Sequence, residues 1–598
     1  MLRYSIVILM AMSIAGCGQD PGNSATDAGP PGDSEIPGDS EIPGDSETNH
    51  PDAAVDSLLA ACSDGLDNDG DNLIDYPQDP DCTSADDNSE FGSTADGSWT
   101  TFAPSDDTRI VYLSDSTGDD STCDSYPANQ ISDPFHPEPS IIPCKTISAA
   151  VSLYNGLPNN EPHWILFKSG DTWTNQSFGK WEKSGRSATE PALLAAYGDS
   201  LVRPTVLTGD SSFSGAVSDG VKFVTLADLH IHAHTYVYSV SSDGPRAFRW
   251  VCETSAGDWV FEGLHIEGFY MAFLIGASQS PYLGKISNLT LRNNIVNKNR
   301  GSGALYISGV NGGKTLVGNL FYENGYYDDA HTDGAYRGKH IYFDNENGYP
   351  PEDPSGSALF KDNFFVDSSA YAFHARTGGE IVNNYVEGHG YGIVIGTHDG
   401  GQTWPIVHTS IHDNVVMHLG DSVAQELGYG IIIENANADV ERNIIAYYNS
   451  AQPYGHPFFI TGDAGNTTVV RLGNNTVFST LGDIRQGGDV GSITHSDNLV
   501  NDDMDLVSND ARSSDVSFVD PDPSGFRDLA KYNMETLGGP RSVDAFMVEA
   551  MKQWRGYFRP EYTVTEVNDY IRRGFEPDGS QSQMCTKGAV PCGFAAGQ

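Results

Sequence analysis

The sequence predicts an all-β chain wound into a parallel β-helix, and three observations carry that prediction. The first is a recurring phrase: a polar residue, an asparagine, then two residues that are mostly apolar, as in Asn293-Asn294-Ile295-Val296 and Asp413-Asn414-Val415-Val416. Its asparagines are Asn294, Asn319, Asn363, Asn384, Asn414, Asn443, Asn475 and Asn498, spaced 25, 44, 21, 30, 29, 32 and 23 residues apart. A unit of roughly 20–30 residues marks a solenoid, and the 44-residue gap reads as two coils. The second observation is a short strand signal ahead of most of these phrases, for example His340-Ile341-Tyr342-Phe343 and Tyr391-Gly392-Ile393-Val394-Ile395. The third is physical. A turn this small cannot bury its own apolar side, so turns must stack. Asparagines at equivalent inward corners can then bond backbone and one another up the stack.

The N-terminal part reads as export and tether. Arg3, the apolar run 6–14 and Ile14-Ala15-Gly16-Cys17 form a signal too short to span a bilayer. That ending resembles the lipobox of bacterial lipoproteins, which implies lipidation of Cys17 after removal of the leader, residues 1–17. Gly18 in the next position implies the outer membrane. Residues 18–58 repeat Pro-Gly-Asp-Ser-Glu-Ile and form an acidic linker, extended by its own charge. From Tyr4 to Thr108 there is no Lys or Arg, and the whole chain carries a formal net charge of -48. Such a surface excludes nucleic acid as a partner.

Residues 59–93 form a small module. Asp67, Asp69, Asp71 and Asp75 fall at positions one, three, five and nine of a calcium-type loop, the clustered carboxylates a hard cation prefers. The loop resembles the Asp-rich calcium loops of surface proteins, with Asn72 where the EF-hand pattern has glycine. Cysteine arithmetic fits an exported chain: with Cys17 lipidated, proximity pairs Cys62 with Cys82, Cys123 with Cys144 and Cys585 with Cys592, leaving Cys252.

The solenoid is expected over 98–500. Ile110-Val111-Tyr112-Leu113 reads as a strand, 145–151 as a short helix, and Trp164-Ile165-Leu166-Phe167 with Gly170-Asp171-Thr172-Trp173 as the first coil. This order resembles the start of right-handed parallel β-helix proteins of the pectate-lyase-like superfamily, which implies a helix capping the open end. Leu229-His230-Ile231 and Leu264-His265-Ile266 fit early coils. Residues 501–598 lose the repeat. Apolar positions 547, 551, 554 and 558 predict a helix over 542–558, and Thr563 with Glu566 a capping box for a second. These helices are expected on the outside or the end of the solenoid, covering an edge.

Strand alternation lines up the coils. With Leu305, Ile341, Phe373, Ile393 and Ile431 inward, Tyr306, Tyr342, His374, Val394 and Ile432 share an outward column. Ser308, Asp344, Arg376, Gly396 and Glu434 share the next, and His340 flanks them one step earlier. β-Elimination from a uronate needs a cation for the sugar carboxylate, a base for the C5 proton and an acid for the leaving oxygen. Arg376 suits the first role, His374 or His340 the second and Tyr342 the third. The stretch from Asn363 to Tyr385, containing Phe373-His374-Ala375-Arg376, is similar to the arginine-bearing coil of alginate- and chondroitin-cleaving β-helix lyases. Those families place a lysine one coil earlier; Lys339, the nearest upstream, reads as part of another coil. Tyr306, Asp344, Tyr391 and Lys339 complete the expected binding residues.

The functional expectation is therefore a lipid-anchored, monomeric surface protein that acts on an acidic polysaccharide as a lyase. Two alternatives stand beside it. One is a non-catalytic carbohydrate-binding or adhesive protein, with Tyr306, Tyr342, Tyr391 and Tyr429 stacking on sugars. The other is a hydrolase using Asp333 and His389, since Thr332-Asp333-Gly334 and Gly388-His389-Gly390 resemble pieces of the polygalacturonase signature. The polar segment 328–340 also offers His331 and Asp333 as a possible metal pair.

Overall fold

In the computed structural model the described residues are 99–238, 244–277, 286–301, 303–310, 312–335, 338–343, 358–396, 407–420, 428–448, 455–462, 468–478, 484–500, 511–512, 516–518, 548–559 and short pieces between 562 and 577. Three sheets run along the chain, of 14, 13 and 9 strands, and each strand pairs with its counterpart one coil away. Pairing between coils is parallel throughout, as in Leu305↔Ile341 and Ile341↔Phe373. The fold is a parallel β-helix. One apolar core runs through it from Val111 to Val500.

The recurring phrase is the corner between the first and second sheets. Only two residues join Leu289–Arg292 to Ile295–Asn297, and the same holds up the stack. The polar residue of each phrase has φ between 52° and 68°. That left-handed region favours Gly, Asn and Asp, which explains the composition of the position. Arg442 is the exception, held by Asp413 at 2.9 and 2.8 Å. The asparagine that follows turns inward and is buried at every level. Each donates Nδ2 to a carbonyl one coil back and, in all but the last, to the next asparagine's Oδ1, as in Asn384 to Phe360 and to Asn414, both 2.9 Å. The ladder is unbroken from Asn294 to Asn498.

The 44-residue gap is one coil, not two. Asn319 bonds Asn363 directly at 2.9 Å, and Lys314–Val317 pairs with Ala358–Lys361. Of the extra length, the described residues 325–335 lie between the strands Leu320–Asn324 and Lys339–Phe343, and the register on either side is untouched.

At the N-terminal end, Ile147–Gly156 is the expected cap helix. Thr146 accepts a bond from Ala149 N at its start, and Ile147, Ala150 and Tyr154 face the core. Cys123 and Cys144 form the expected disulfide. Cys252 is a thiol, fully buried. The lower core is aromatic, with Trp173, Trp181, Trp250 and Trp259 fully buried, and becomes aliphatic upward.

The C-terminal expectation needs correction. Helix is present at 548–550, but the chain then turns, and Trp554 bridges Tyr557. Met551, Trp554 and Phe558 therefore do not continue one helical face; Trp554 and Phe558 instead dock on the coils, Trp554 Nε1 donating to Leu201 O at 3.0 Å. Arg555 anchors the segment, bonding Asp228 at 2.8 Å and Glu262 at 2.6 Å. Near the second predicted helix, 564–565 and 567–568 are helical, Val567 is buried and Asn568 donates to Asn383 O at 3.1 Å. Residue 566, Cys17, Asp67, Asp69, Asp71, Asp75, Cys62, Cys82, Asp344, Cys585 and Cys592 lie outside the described residues.

Candidate functional site

The third sheet carries the candidate site on its outer face. The inward column Leu305, Ile341, Phe373, Ile393, Ile431 is as predicted, each residue fully buried. Tyr306, Tyr342, His374, Val394 and Ile432 are register partners on the opposite face. Ring centroids of Tyr306 and Tyr342 are 5.4 Å apart, and those of Tyr342 and His374 5.3 Å at 67°.

Two cations bracket this column. Lys339 Nζ lies 3.8 Å from the Tyr342 ring centroid and 5.2 Å from that of Tyr371. The Arg376 guanidinium carbon lies 5.2 Å from the Tyr342 centroid. Lys339 stands one coil before Arg376: its strand, Lys339–Phe343, pairs directly with Tyr371–Ala375. The sequence leaves the slot one coil before Arg376 without a lysine and puts Lys339 in another coil; the register shows that Lys339 belongs to the coil directly before. Asp344, expected beside Arg376, lies outside the described residues.

Tyr342 and His374 are each 7% exposed. His374 Nε2 donates to Gly396 O at 3.0 Å, which leaves Nδ1 as the ring's lone-pair nitrogen. Burial, then the charges of Lys339 and Arg376, hold this imidazole well below its ordinary range. It is a neutral ring between two cations.

His340 does not reach this face. Strict alternation predicted it outward, but the strand begins at a corner where two successive residues, 340 and 341, both point inward. The same corner takes Ala372, then Gly392 and Gly430, where a Cβ on Gly392 would meet Gly430 O at 2.4 Å. His340 is fully buried against Phe321 and Phe365 and accepts from Asn324 Nδ2 at 3.0 Å. Burial and the nearby His389 hold it well below the usual imidazole range. It belongs to a second, shorter corner ladder with Asn299 and Asn324.

The hydrolase pair does not assemble. His389 is fully buried, donating to Phe365 O at 3.0 Å, with Ser368 Oγ 2.9 Å away, while Asp333 is exposed in its loop. Nor does Asp333 join His331. That imidazole faces Glu323 at 3.9 Å and Asp367 at 3.6 Å, and stacks on Tyr326 at 4.0 Å.

The tyrosines further along do not offer their faces. Tyr371 and Tyr391 stack on each other at 4.4 Å and 14°, Tyr391 and Tyr429 follow at 5.6 Å, and Tyr429 is buried. Rings that cover one another present edges and hydroxyls, not sugar platforms. Arg485 caps this stack, 5.5 Å from the Tyr429 centroid. Across Lys339, Tyr342, His374 and Arg376 the donors are two cations, a phenol and an imidazole. That set suits an anion; calcium takes clustered oxygen ligands.

No protein-family model matches this chain, and no curated protein matches it in sequence. Among solved structures, a rhamnogalacturonan lyase is similar with TM-score 0.35 and 12% identity, over 69% of this chain and 91% of that one. Pectate lyase Pel9A gives 0.30 and 13%, over 69% and 84%. The A-module of the Azotobacter vinelandii mannuronan C-5 epimerase AlgE6 gives 0.28 and 13%, over 61% and 94%. The likeness is one of fold. At these values it carries no substrate or reaction to this chain.

Proposed function

We propose that the protein acts on an acidic polysaccharide and cleaves a uronate-containing glycan by β-elimination. The observation that supports this is the grouping of Lys339, Tyr342, His374 and Arg376 on one outer face, a cationic island in a chain of net charge -48. Arg376 binds the uronate carboxylate and makes the C5 proton more acidic. His374 Nδ1 takes that proton. Tyr342 gives its hydroxyl proton to the departing glycosidic oxygen, and a C4–C5 double bond forms as the C4–O bond breaks. Lys339 lowers the negative charge that builds on the carboxylate and keeps the His374 ring neutral.

The test is ultraviolet absorbance of the unsaturated product on a panel of pectate, alginate, rhamnogalacturonan and glycosaminoglycans. Absorbance that Arg376→Ala removes supports the reading. New reducing ends without absorbance would replace it with hydrolysis, and binding without either with an adhesive role. The same reading keeps the protein at the cell surface through Cys17, with 18–58 as its tether and calcium in the 67–75 loop. Incorporation of a labelled fatty acid that Cys17→Ser abolishes tests the anchor.

A further inference from the structure

A second cluster lies on the opposite part of the coil, on the second sheet. Three short strands stack there: Thr205–Leu207, His230–His232 and His265–Glu267, followed by Ile295–Asn297. Register puts His230 beside His265, and His232 beside Glu267. The rings of His230 and His265 stack at 4.2 Å, and His230 Nε2 is 3.3 Å from Glu267 Oε2. One ligand atom from each of His230, His265 and Glu267 falls within 4.8 Å of the others. His232 Nδ1 stands 3.9 Å from the same Glu267 oxygen.

We propose that His230, His265 and Glu267 bind a divalent transition-metal ion of the zinc class. Two imidazoles and one carboxylate are borderline and hard donors in the mix that zinc takes, and three protein ligands leave a fourth position open. That position has somewhere to lead. A cavity of about 360 Å³ adjoins the cluster, lined by His230, His265, Arg203, Lys552, Trp554 and Tyr557. The surrounding bonds are those of a supported site. Asn297 Oδ1 lies 2.9 Å from His265 Nε2 and fixes that ring. The Arg203 guanidinium is committed to the carbonyls of Gly263, Met551 and Gln553, so it is aimed at backbone and not at the ligands. The ion would sit under the C-terminal segment 551–557 on the second sheet, whereas the proposed lyase residues stand on later coils of the third, so it is a separate site.

Titration of the metal-stripped full chain with Co²⁺ as probe, in saturating Ca²⁺ to fill oxygen-only sites, tests this. One equivalent of Co²⁺ with a visible d–d band, displaced by Zn²⁺, is expected. The double variant His230→Ala/His265→Ala should lose the band, and His331→Ala, which removes the second imidazole–carboxylate cluster among the described residues, should keep it. Glu267→Gln, nearly isosteric, should fold as the parent does and weaken Co²⁺ binding at least tenfold; it decides the matter if the double variant does not fold. Absence of a bound equivalent, or binding unchanged in Glu267→Gln and in the double variant, overturns the proposal.

Discussion

Replacing Asn384 by leucine, close to it in volume, isolates what the asparagine ladder contributes. The side chain makes four bonds: Nδ2 to Phe360 O and to Asn414 Oδ1, and Oδ1 from both the backbone N and the Nδ2 of Asn363. Asn414 Oδ1 keeps its bond from the residue-384 backbone. The two donors on Asn363 keep nothing in exchange, because Asn363 is fully buried and only its other Nδ2 hydrogen reaches Leu316 O. Orphaning a buried donor costs about 1–3 kcal/mol, so Asn384→Leu should cost about 2–6 kcal/mol. Asn294→Leu at the ladder's first rung orphans one donor, Leu264 N, and should cost about half that. Urea unfolding followed by circular dichroism gives both values, and hydrogen exchange at the Asn363 amide localises the defect. Equal costs for the two variants, or a cost under about 1 kcal/mol for Asn384→Leu, would refute the ladder as the source of stability.

Four further outcomes are expected. Arg555→Met strands the buried carboxylate of Asp228, while Glu262 keeps Arg292 and Thr100, and thermal unfolding should show a loss of about 3–5 kcal/mol that Asp228→Asn partly restores. Reducing Cys123–Cys144, a closure across 21 residues, should cost about 3 kcal/mol in the same assay. His389, lowered by burial from 6.5 to about 4, is protonated in the unfolded chain but not in the folded one between those values. Stability should therefore fall as pH drops through that window, by on the order of 3 kcal/mol at its lower end, and His389→Asn should flatten the dependence. If His374 is the base, the acid limb of kcat/KM lies below the ordinary imidazole range; Lys339→Gln removes one cause of the depression and should move that limb upward. An unmoved limb in the Lys339 variant would take His374 out of the base role.

The fold was legible because its period is written in residues with no other reason to recur. A two-residue corner needs a left-handed residue and then a buried amide, so Gly318-Asn319 and Asp362-Asn363 repeat whatever lies between them. The outward column Tyr306–Tyr342–His374 followed from the strict alternation of strands. His340 was misread because alternation fails at a corner, where backbone direction changes and two neighbours turn inward together. The 44-residue interval was misread because a solenoid counts coils by register, and insertions between strands do not alter register. The helical period at 547–558 misled for another reason: apolar residues that dock a turn on a wall can fall three or four apart without a helix. The His-x-His at 230–232 and His-x-Glu at 265–267 were visible signals. They become a cluster only when the coils are superposed in register, which the sequence alone does not display.

The C-terminal segment 548–559 has a consequence for the order of events. Stacked coils can zip up as soon as each emerges, but Arg555 fills a gap between Asp228 and Glu262, made about 300 residues earlier. Until it arrives, the buried Asp228 carboxylate lacks its ion-pair partner, and that part of the stack can fray. These early coils thus gain their full resistance to opening last, when the C-terminal segment latches onto them.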